Sequence, residues 1–221
     1  MSAPSIGRPN PPQTAAGRDL KQDRAIRTQR LILGAAAHAF AEQGFLAVTV
    51  ADLAEIAGVT KGAVYFHYTN KDALAVAVSE EFYRRLAVLA EQAQRLPVRH
   101  LEAVVELLLS TAAAFRDDEI IQAGARLQLE QKLIKVALPT PFVGFTQAVH
   151  TILGQAHAAG ELPAPVEPRR LARVLAAGFY GSQHISWVTA KRGDIIERTQ
   201  DLIDAVLGHY RRPPGDEPPT G

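Results

Sequence analysis

Residues 49–71 read TVADLAEIAGVTKGAVYFHYTNK, and this stretch decides the fold of the 221-residue chain. Two short segments with helical patterns meet in it at Gly58-Val59. Glycine tolerates the positive φ of a tight turn, and a small apolar residue beside it sets the angle between two packed helices. The stretch therefore predicts a helix-turn-helix, whose second helix begins at Thr60.

The ends of these helices are marked by residues that cap helix N-termini. Thr49 and Thr60 each precede a helical segment, and Asp52 stands in capping-box position three residues after Thr49. Asn70 stands before a third, longer segment. These caps predict helices that start close to residues 50, 60 and 71.

Working outward, the pattern is helical almost throughout, which predicts an all-α fold without strands or repeats. We expect a disordered tail over 1–17, a three-helix DNA-binding domain with the helix-turn-helix over 18–69, a larger helical ligand-binding and dimerisation domain over 70–212, and a second disordered tail over 213–221. The expected helices span about Lys21–Gln43, 50–57, Thr60–His67, Lys71–Arg95, Val98–Arg116, Glu119–Lys135, Pro141–Ala159, Pro168–Lys191 and Asp194–Tyr210.

The composition excludes several classes of protein. The chain has no cysteine, so a disulfide scaffold, a cysteine metal site and thiol catalysis are all excluded. No apolar run is long enough to cross a membrane and the N-terminus lacks an apolar signal region, so we expect a cytoplasmic protein. The net charge is only +1, but up to Lys71 there are eight Lys and Arg against five Asp and Glu. This mild asymmetry is compatible with a basic N-terminal module.

The second helix of the motif carries side chains suited to reading double-stranded DNA. Lys61 can donate to guanine in the major groove, and Gly62 allows the backbone to approach it. Thr60 and Tyr65 can donate to phosphates. The predicted DNA-binding residues are Arg24, Arg27, Thr49, Thr60, Lys61, Gly62, Tyr65, His67 and Lys71.

The alternative for the same pattern is a plain helical hairpin with solvated lysines. In that interpretation Tyr65 and Phe66 both belong to the core. The longer string of residues around them favours the DNA-binding interpretation.

That longer string resembles the TetR family of repressors over about fifty residues. It runs from Ile32 through Phe40 and Gly44-Phe45, and continues with the whole of 49–71. The resemblance implies an all-α homodimer that binds a palindromic operator until a small ligand releases it. It also implies that Phe66 belongs to the core, since the family buries that side of the helix.

Three further stretches resemble the γ-butyrolactone receptors of antibiotic-producing actinobacteria. They are QDRAIRT at 22–28 with TKGAVYFH at 60–67, AGARL at 123–127, and the Pro141-Phe142 pair with a later QA…GEL pattern at 155–162. The resemblance implies a diffusible γ-butyrolactone, butenolide or furan as ligand and genes of antibiotic biosynthesis as targets. Typical butyrolactone receptors have Trp where this chain has Phe145, and this departure leaves a furan or another small acid open as the ligand instead of the lactone.

A ligand pocket needs apolar walls and a few polar groups that orient the ligand. The resemblance assigns the hydrogen-bonding positions to Tyr83 and Gln128. Trp187 is a candidate that alternatively packs at a dimer interface. The predicted ligand-binding residues are Tyr83, Leu108, Gln128, Phe142, Phe145, Gln183 and Trp187.

The last two helices are the predicted dimer interface, because small residues over 176–182 permit close helix packing. An enzyme is the alternative class, but His150 and His157 lack a third metal ligand, and Ser182 lacks the glycines of a nucleophile elbow. We therefore expect no catalytic site, no metal and no cofactor, and no contact with a membrane. A TetR-type regulator of efflux or lipid metabolism that senses a drug or fatty-acid derivative is the second alternative.

Overall fold

The computed structural model describes residues 15–140 and 142–210 of the chain, which is helical throughout this part, as predicted. The predicted tail over 213–221 and most of the tail over 1–17 lie outside the described residues. The helices are α1 (Ala15–Gln43), α2 (Val50–Ile56), α3 (Lys61–His67), α4 (Lys71–Arg95), α5 (His100–Asp117), α6 (Glu119–Glu130), α7 (Val143–Ala158), α8 (Pro168–Ala190) and α9 (Ile195–Leu207).

The helix bounds differ from the predicted ones at a few ends. Helix α1 begins at Ala15, so its first three residues were assigned to the N-terminal tail. The helix expected to reach Lys135 ends at Glu130 and continues as a 3₁₀ turn over Gln131–Leu133. The first helical position predicted for Pro141 falls on a residue outside the described part, and α7 begins at Val143.

The N-terminal unit is a three-helix bundle built on α1. Ile32, Ala36 and Phe40 are fully buried on one face of α1, as their spacing predicts, and Leu53 and Val64 bring α2 and α3 onto the same core. The long α4 leads from this unit into the rest of the molecule. Helix α6 packs against both α1 and α4, so it joins the two parts of the fold.

The C-terminal part is a bundle of α4–α9 around a continuous apolar core. Helix α7 packs on α8, and α5 contacts α7 and α9 in the interior. The core contains a group of aromatic rings from α4, α5, α7 and α8. No helix in the described ranges has the length and hydropathy needed to cross a bilayer.

Candidate functional site

Local capping holds the helix-turn-helix in shape. The Thr49 hydroxyl accepts from the Asp52 amide and the Asp52 carboxylate accepts from the Thr49 amide, which completes the predicted capping box. The Thr60 hydroxyl caps α3 by accepting from the Ala63 amide at 3.1 Å. Gly58 has the predicted positive φ, +65°, and the Val59 amide donates to the Ala54 carbonyl across the turn. The turn is therefore built from the residues that the sequence singled out.

Helix α3 presents most of its predicted DNA-binding side chains to solvent. Lys61, Gly62 and Tyr65 are exposed, and His67 is half-buried. The Lys61 ammonium lies 5.9 Å from the centroid of the Tyr65 ring, so these two residues form one side of the helix. Val64 is fully buried on the opposite face and anchors α3 in the bundle.

Phe66 corrects the prediction that its ring belongs to the core. The side chain is 81% exposed, and the ring lies edge-on against His67 with the ring centroids 5.1 Å apart. Three large apolar residues follow one another at 64–66, and in a helix only one of them can point into the core. Val64 takes that position, so Phe66 projects into solvent.

The remaining predicted DNA contacts lie outside α3. Arg24 and Arg27 are exposed on α1, and Thr49 is exposed at the start of α2. Lys71 has partners that the sequence did not indicate, because its ammonium donates to the carbonyls of Phe45 at 2.7 Å and Val48 at 2.8 Å. A lysine ammonium has three donors, so one is left for the predicted phosphate contact, which stays a prediction.

A cavity of about 340 Å³ opens between α4 and α7 and contains two of the predicted ligand-binding residues, Tyr83 and Phe145. The Tyr83 hydroxyl donates to the Pro139 carbonyl at 3.3 Å. Burial raises the pKa of Tyr83 to about 12, so this phenol is a protonated donor at neutral pH. The cavity is lined by Tyr83, Leu86, Ala87, Ala90, Glu91, Gln94, Gly144, Phe145, Gln147, Ala148 and Thr151.

An aromatic cluster lies beside this cavity and includes a residue that sequence analysis missed, Tyr180. Its ring is 4.6 Å from Phe142 and 5.6 Å from Phe145, centroid to centroid. Burial raises the pKa of Tyr180, and the neighbouring Tyr83 adds to this shift. Phe142 precedes α7 with φ +67° and is partly exposed. Tyr180 stands in the small-residue region of α8 that was assigned to dimerisation, and only tertiary packing reveals its position at the site.

Phe142 also lines a second, more polar cavity of about 530 Å³ between α7 and α8. Arg169 and Arg173 contribute two guanidinium groups to its wall, and His150 lies on the α7 side. Both arginines are exposed. The larger cavity thus combines Phe142 with two cationic side chains, and the smaller cavity combines Phe145 with the neutral Tyr83 phenol.

Two buried glutamines lack hydrogen-bond partners. Gln128 is 8% exposed, and both its Nε2 and its Oε1 are buried without a partner. Gln183 is similarly buried, and its Oε1 has no partner. A buried amide without partners costs about 1–3 kcal/mol, which makes both side chains candidates for binding a polar group. Leu108 is fully buried in the apolar core on α5. Neither Leu108 nor either glutamine lines the cavity beside Tyr83, so the structure does not bring these three predicted residues together with Tyr83 and Phe145.

Trp187 has a different environment from the predicted pocket. Its ring lies between two guanidinium groups, 5.6 Å from that of Arg126 and 5.2 Å from that of Arg192. Burial lowers the pKa of Arg192. This cluster connects α8 to α6, and Trp187 is absent from the lining of the cavity beside Tyr83.

The C-terminal bundle is joined to the N-terminal unit by an ion pair on α6. Arg126 and Glu130 pair at 3.0 Å, and both side chains are about one-fifth exposed. Arg126 also donates to the Ala41 and Glu42 carbonyls at the end of α1, while Glu130 accepts from the Phe45 amide at 2.6 Å. We call Arg126 and Glu130 the α6 clamp.

Gly44 makes room for the α6 clamp. Its φ is +86°, and a Cβ at this position would lie 2.6 Å from an Arg126 nitrogen and 2.6 Å from a Glu130 oxygen. The glycine that ends α1 is thus required both by the backbone and by the close approach of α6. Gln128 lies between the two clamp residues in sequence. Helix α6 therefore carries both the unpaired side-chain amide and the contact with the N-terminal unit.

Comparison with known proteins agrees with this architecture. Residues 32–78 match the family model described as bacterial regulatory proteins, tetR family. The A-factor receptor protein of Streptomyces griseus is 28% identical over 193 residues, which cover 87% of this chain and 67% of that receptor.

Two solved structures share the fold over most of their length. One, from work on the molecular basis for control of antibiotic production by bacterial hormones, is 44% identical with a TM-score of 0.78, and the match covers 83% of this chain and 97% of that one. The other, a γ-butyrolactone receptor described as ArpA-like, is 26% identical with a TM-score of 0.65, and the match covers 83% of this chain and all of that one. The chain therefore belongs to the TetR family of helix-turn-helix transcriptional repressors, which are not enzymes, and it resembles the γ-butyrolactone receptors within that family.

Proposed function

We propose that this repressor binds a palindromic operator as a homodimer and is released from it by a small diffusible signalling molecule of the γ-butyrolactone, butenolide or furan type. Its targets would be genes of antibiotic biosynthesis. The observation that carries the proposal is the Gln128 amide, which is buried without a partner on the helix that contacts the DNA-binding unit. A polar group of a ligand would satisfy it. The resemblance to the A-factor receptor supports the ligand class.

The side chains around Tyr83 suit a small molecule with an apolar tail and an oxygen-rich head. The Tyr83 phenol would donate to a carbonyl or carboxylate oxygen of the ligand by giving up its 3.3 Å hydrogen bond to the Pro139 carbonyl. The Phe142, Phe145 and Tyr180 rings offer an apolar wall, against which each buried methylene contributes about 0.8 kcal/mol. Arg173 lines a different cavity with Phe142, where it would favour an anionic group.

Release requires a ligand that binds better to a conformation in which the two helix-turn-helix units are wrongly spaced. Helix α4 carries Tyr83 and begins with Lys71, which holds the α1–α2 connection. Helix α6 adds a second connection that the sequence did not indicate. Gln128 stands two residues from each member of the α6 clamp, so a ligand that repositions Gln128 would shift the clamp and the end of α1 with it.

Dimerisation through α8 and α9 is supported by the surface of α8. Val174, Ile185 and Val188 are large apolar residues with about half or more of their surface exposed, and the small residues Ala177 and Gly181 lie exposed between them. An apolar face with small residues suits close packing against the same face of a second copy. Such a dimer would hold two recognition helices about 34–36 Å apart on one side of the DNA.

The proposal is tested by gel shift on a duplex that the protein selects from random DNA. We expect a palindromic sequence bound by a dimer and released on titration with one of three compound classes: γ-butyrolactones, butenolides or alkylfuran carboxylic acids. Lys61→Ala should weaken binding by about 1–3 kcal/mol and relax the base preference. Release only by drugs or fatty-acid derivatives would favour the alternative function, a regulator of efflux or lipid metabolism. Catalytic turnover of any compound would contradict a repressor function.

A further inference from the structure

The face of α3 that points away from the core consists of Gly62 and Phe66. At 3.6 residues per turn they lie about 160° and 200° around the helix axis from the fully buried Val64. Lys61 and Tyr65 lie to one side of this ridge, and His67 lies to the other. Gly62 has no side chain, so the Phe66 ring is the largest group on the ridge.

The Phe66 ring is free to meet a partner. It is 81% exposed, so its apolar surface contributes little to the core of the domain. The ring lies edge-on against His67, at an interplanar angle of 88°. A second α-helix packing on this ridge would cover Lys61 and Tyr65 as well, whereas a DNA major groove accepts an aromatic ridge flanked by polar and cationic side chains.

We infer that Phe66 contacts the methyl group of a thymine in the operator and is thereby a specificity-determining residue of this repressor. The inference rests on operator binding through α3. A recognition helix reads base edges with its N-terminal side chains, such as Lys61, and with the ridge that points into the major groove, while its other exposed side chains contact phosphates. The phenyl ring has no hydrogen-bonding group, and the thymine C5 methyl is the apolar feature of that groove.

The neighbours of Phe66 define where the thymine should lie. Gly62 lets the helix approach the bases, and Lys61 is placed to read a guanine. Phe66 stands five residues after Lys61, about 7.5 Å along the helix axis. The thymine is therefore expected within about two or three base pairs of that guanine in each half-site.

The test begins with selection from randomised duplex DNA by the wild-type protein and by Phe66→Ser, Phe66→Leu and Ile56→Ser. Ile56 is an exposed apolar residue of α2 and serves as the control. Each thymine of the selected duplex is then replaced by deoxyuridine, which removes only the methyl group, and affinity is measured by fluorescence anisotropy. Because Phe66 and Ile56 are exposed, all variants should melt close to the wild-type temperature.

We expect one symmetric pair of thymines whose methyl groups matter to the wild type, with a loss of about fourfold per half-site on replacement. Phe66→Ser should lose both this sensitivity and the preference for thymine at that position. Phe66→Leu should keep part of both, and Ile56→Ser should keep both in full.

Two results would overturn the inference while leaving operator binding intact. One is a Phe66→Ser variant that selects the same sequence and keeps the deoxyuridine effect. The other is a variant that loses affinity for all sequences equally, which would assign Phe66 to the sugar–phosphate backbone. A wild-type protein that enriches no sequence would instead overturn the proposed function, and this inference with it.

Discussion

We expect the Gln128 side chain to lower the stability of the ligand-free protein, because its amide is buried with both polar atoms unpaired. Replacing such a group with an apolar side chain of similar size removes a desolvation cost. Gln128→Leu should therefore stabilise the ligand-free protein by about 1–3 kcal/mol in urea unfolding, the opposite sign to most core substitutions. Operator binding should persist and ligand-induced release should be lost.

Gln155→Leu is the matched control, since Gln155 is exposed on α7. It should change the unfolding free energy by less than about 0.5 kcal/mol and leave release intact. If Gln128→Leu lowers the free energy of unfolding, the amide has hydrogen-bond partners in the folded protein. That result would contradict the proposed role of Gln128 in ligand binding.

Residues whose role depends on their immediate neighbours were predictable from sequence. The capping box of Thr49, the cap at Thr60 and the positive φ of Gly58 all follow from chemistry within a few residues. Phe66 was placed wrongly because Val64, Tyr65 and Phe66 are all apolar or aromatic, and the choice among them depends on the exact orientation of α3 in the bundle. The partners of Lys71 were missed for the same reason, since they lie 26 and 23 residues away.

At the scale of elements, Gly124 sets how closely α6 approaches α4. A Cβ on Gly124 would overlap the Phe82 side chain, which is fully buried on α4. Gly124→Ala should force the helices apart and cost about 1–3 kcal/mol in thermal or urea unfolding, despite the better helix propensity of alanine.

Gly34→Ala is its control, because Gly34 is an exposed position within α1 and a Cβ there would project into open space. This substitution should stabilise the protein by about 0.5–1 kcal/mol. Equal effects of the two substitutions would contradict the close packing of α4 on α6.

The two residues of the α6 clamp are expected to be energetically coupled. Arg126 and Glu130 are largely buried and share partners on the α1–α2 connection, so their alanine variants should be strongly non-additive. A double-mutant cycle in urea should give a coupling energy of at least about 1 kcal/mol. The Glu91–Arg95 pair has the same spacing on α4 but is mostly exposed, and it should give about 0.3–0.5 kcal/mol. Equal coupling energies in the two pairs would contradict the role proposed for the α6 clamp.

Helix content and order were predictable because hydrophobic periodicity and caps recur along the chain, but the contacts between helices were not. Lys71 and Tyr83 stand on the same predicted helix, Lys71–Arg95, so a connection of the two parts through α4 follows from the sequence. The structure adds α6, whose clamp depends on pairs more than 80 residues apart in sequence. The contact of Tyr180 with the aromatic cluster and the lack of partners for the Gln128 amide also depend on how α4–α8 pack together.

In the complete repressor, we expect the ligand and operator sites to be coupled through the helices that join them. The direct measurement is calorimetric titration of the releasing compound into the free protein and into the protein saturated with operator. Linkage requires that a ligand which weakens operator binding is itself bound more weakly by the operator complex, by the same factor. We predict at least about tenfold weaker ligand binding in the complex for the wild type, and no binding site in either state for Gln128→Leu. Equal ligand affinity with and without operator would contradict the account.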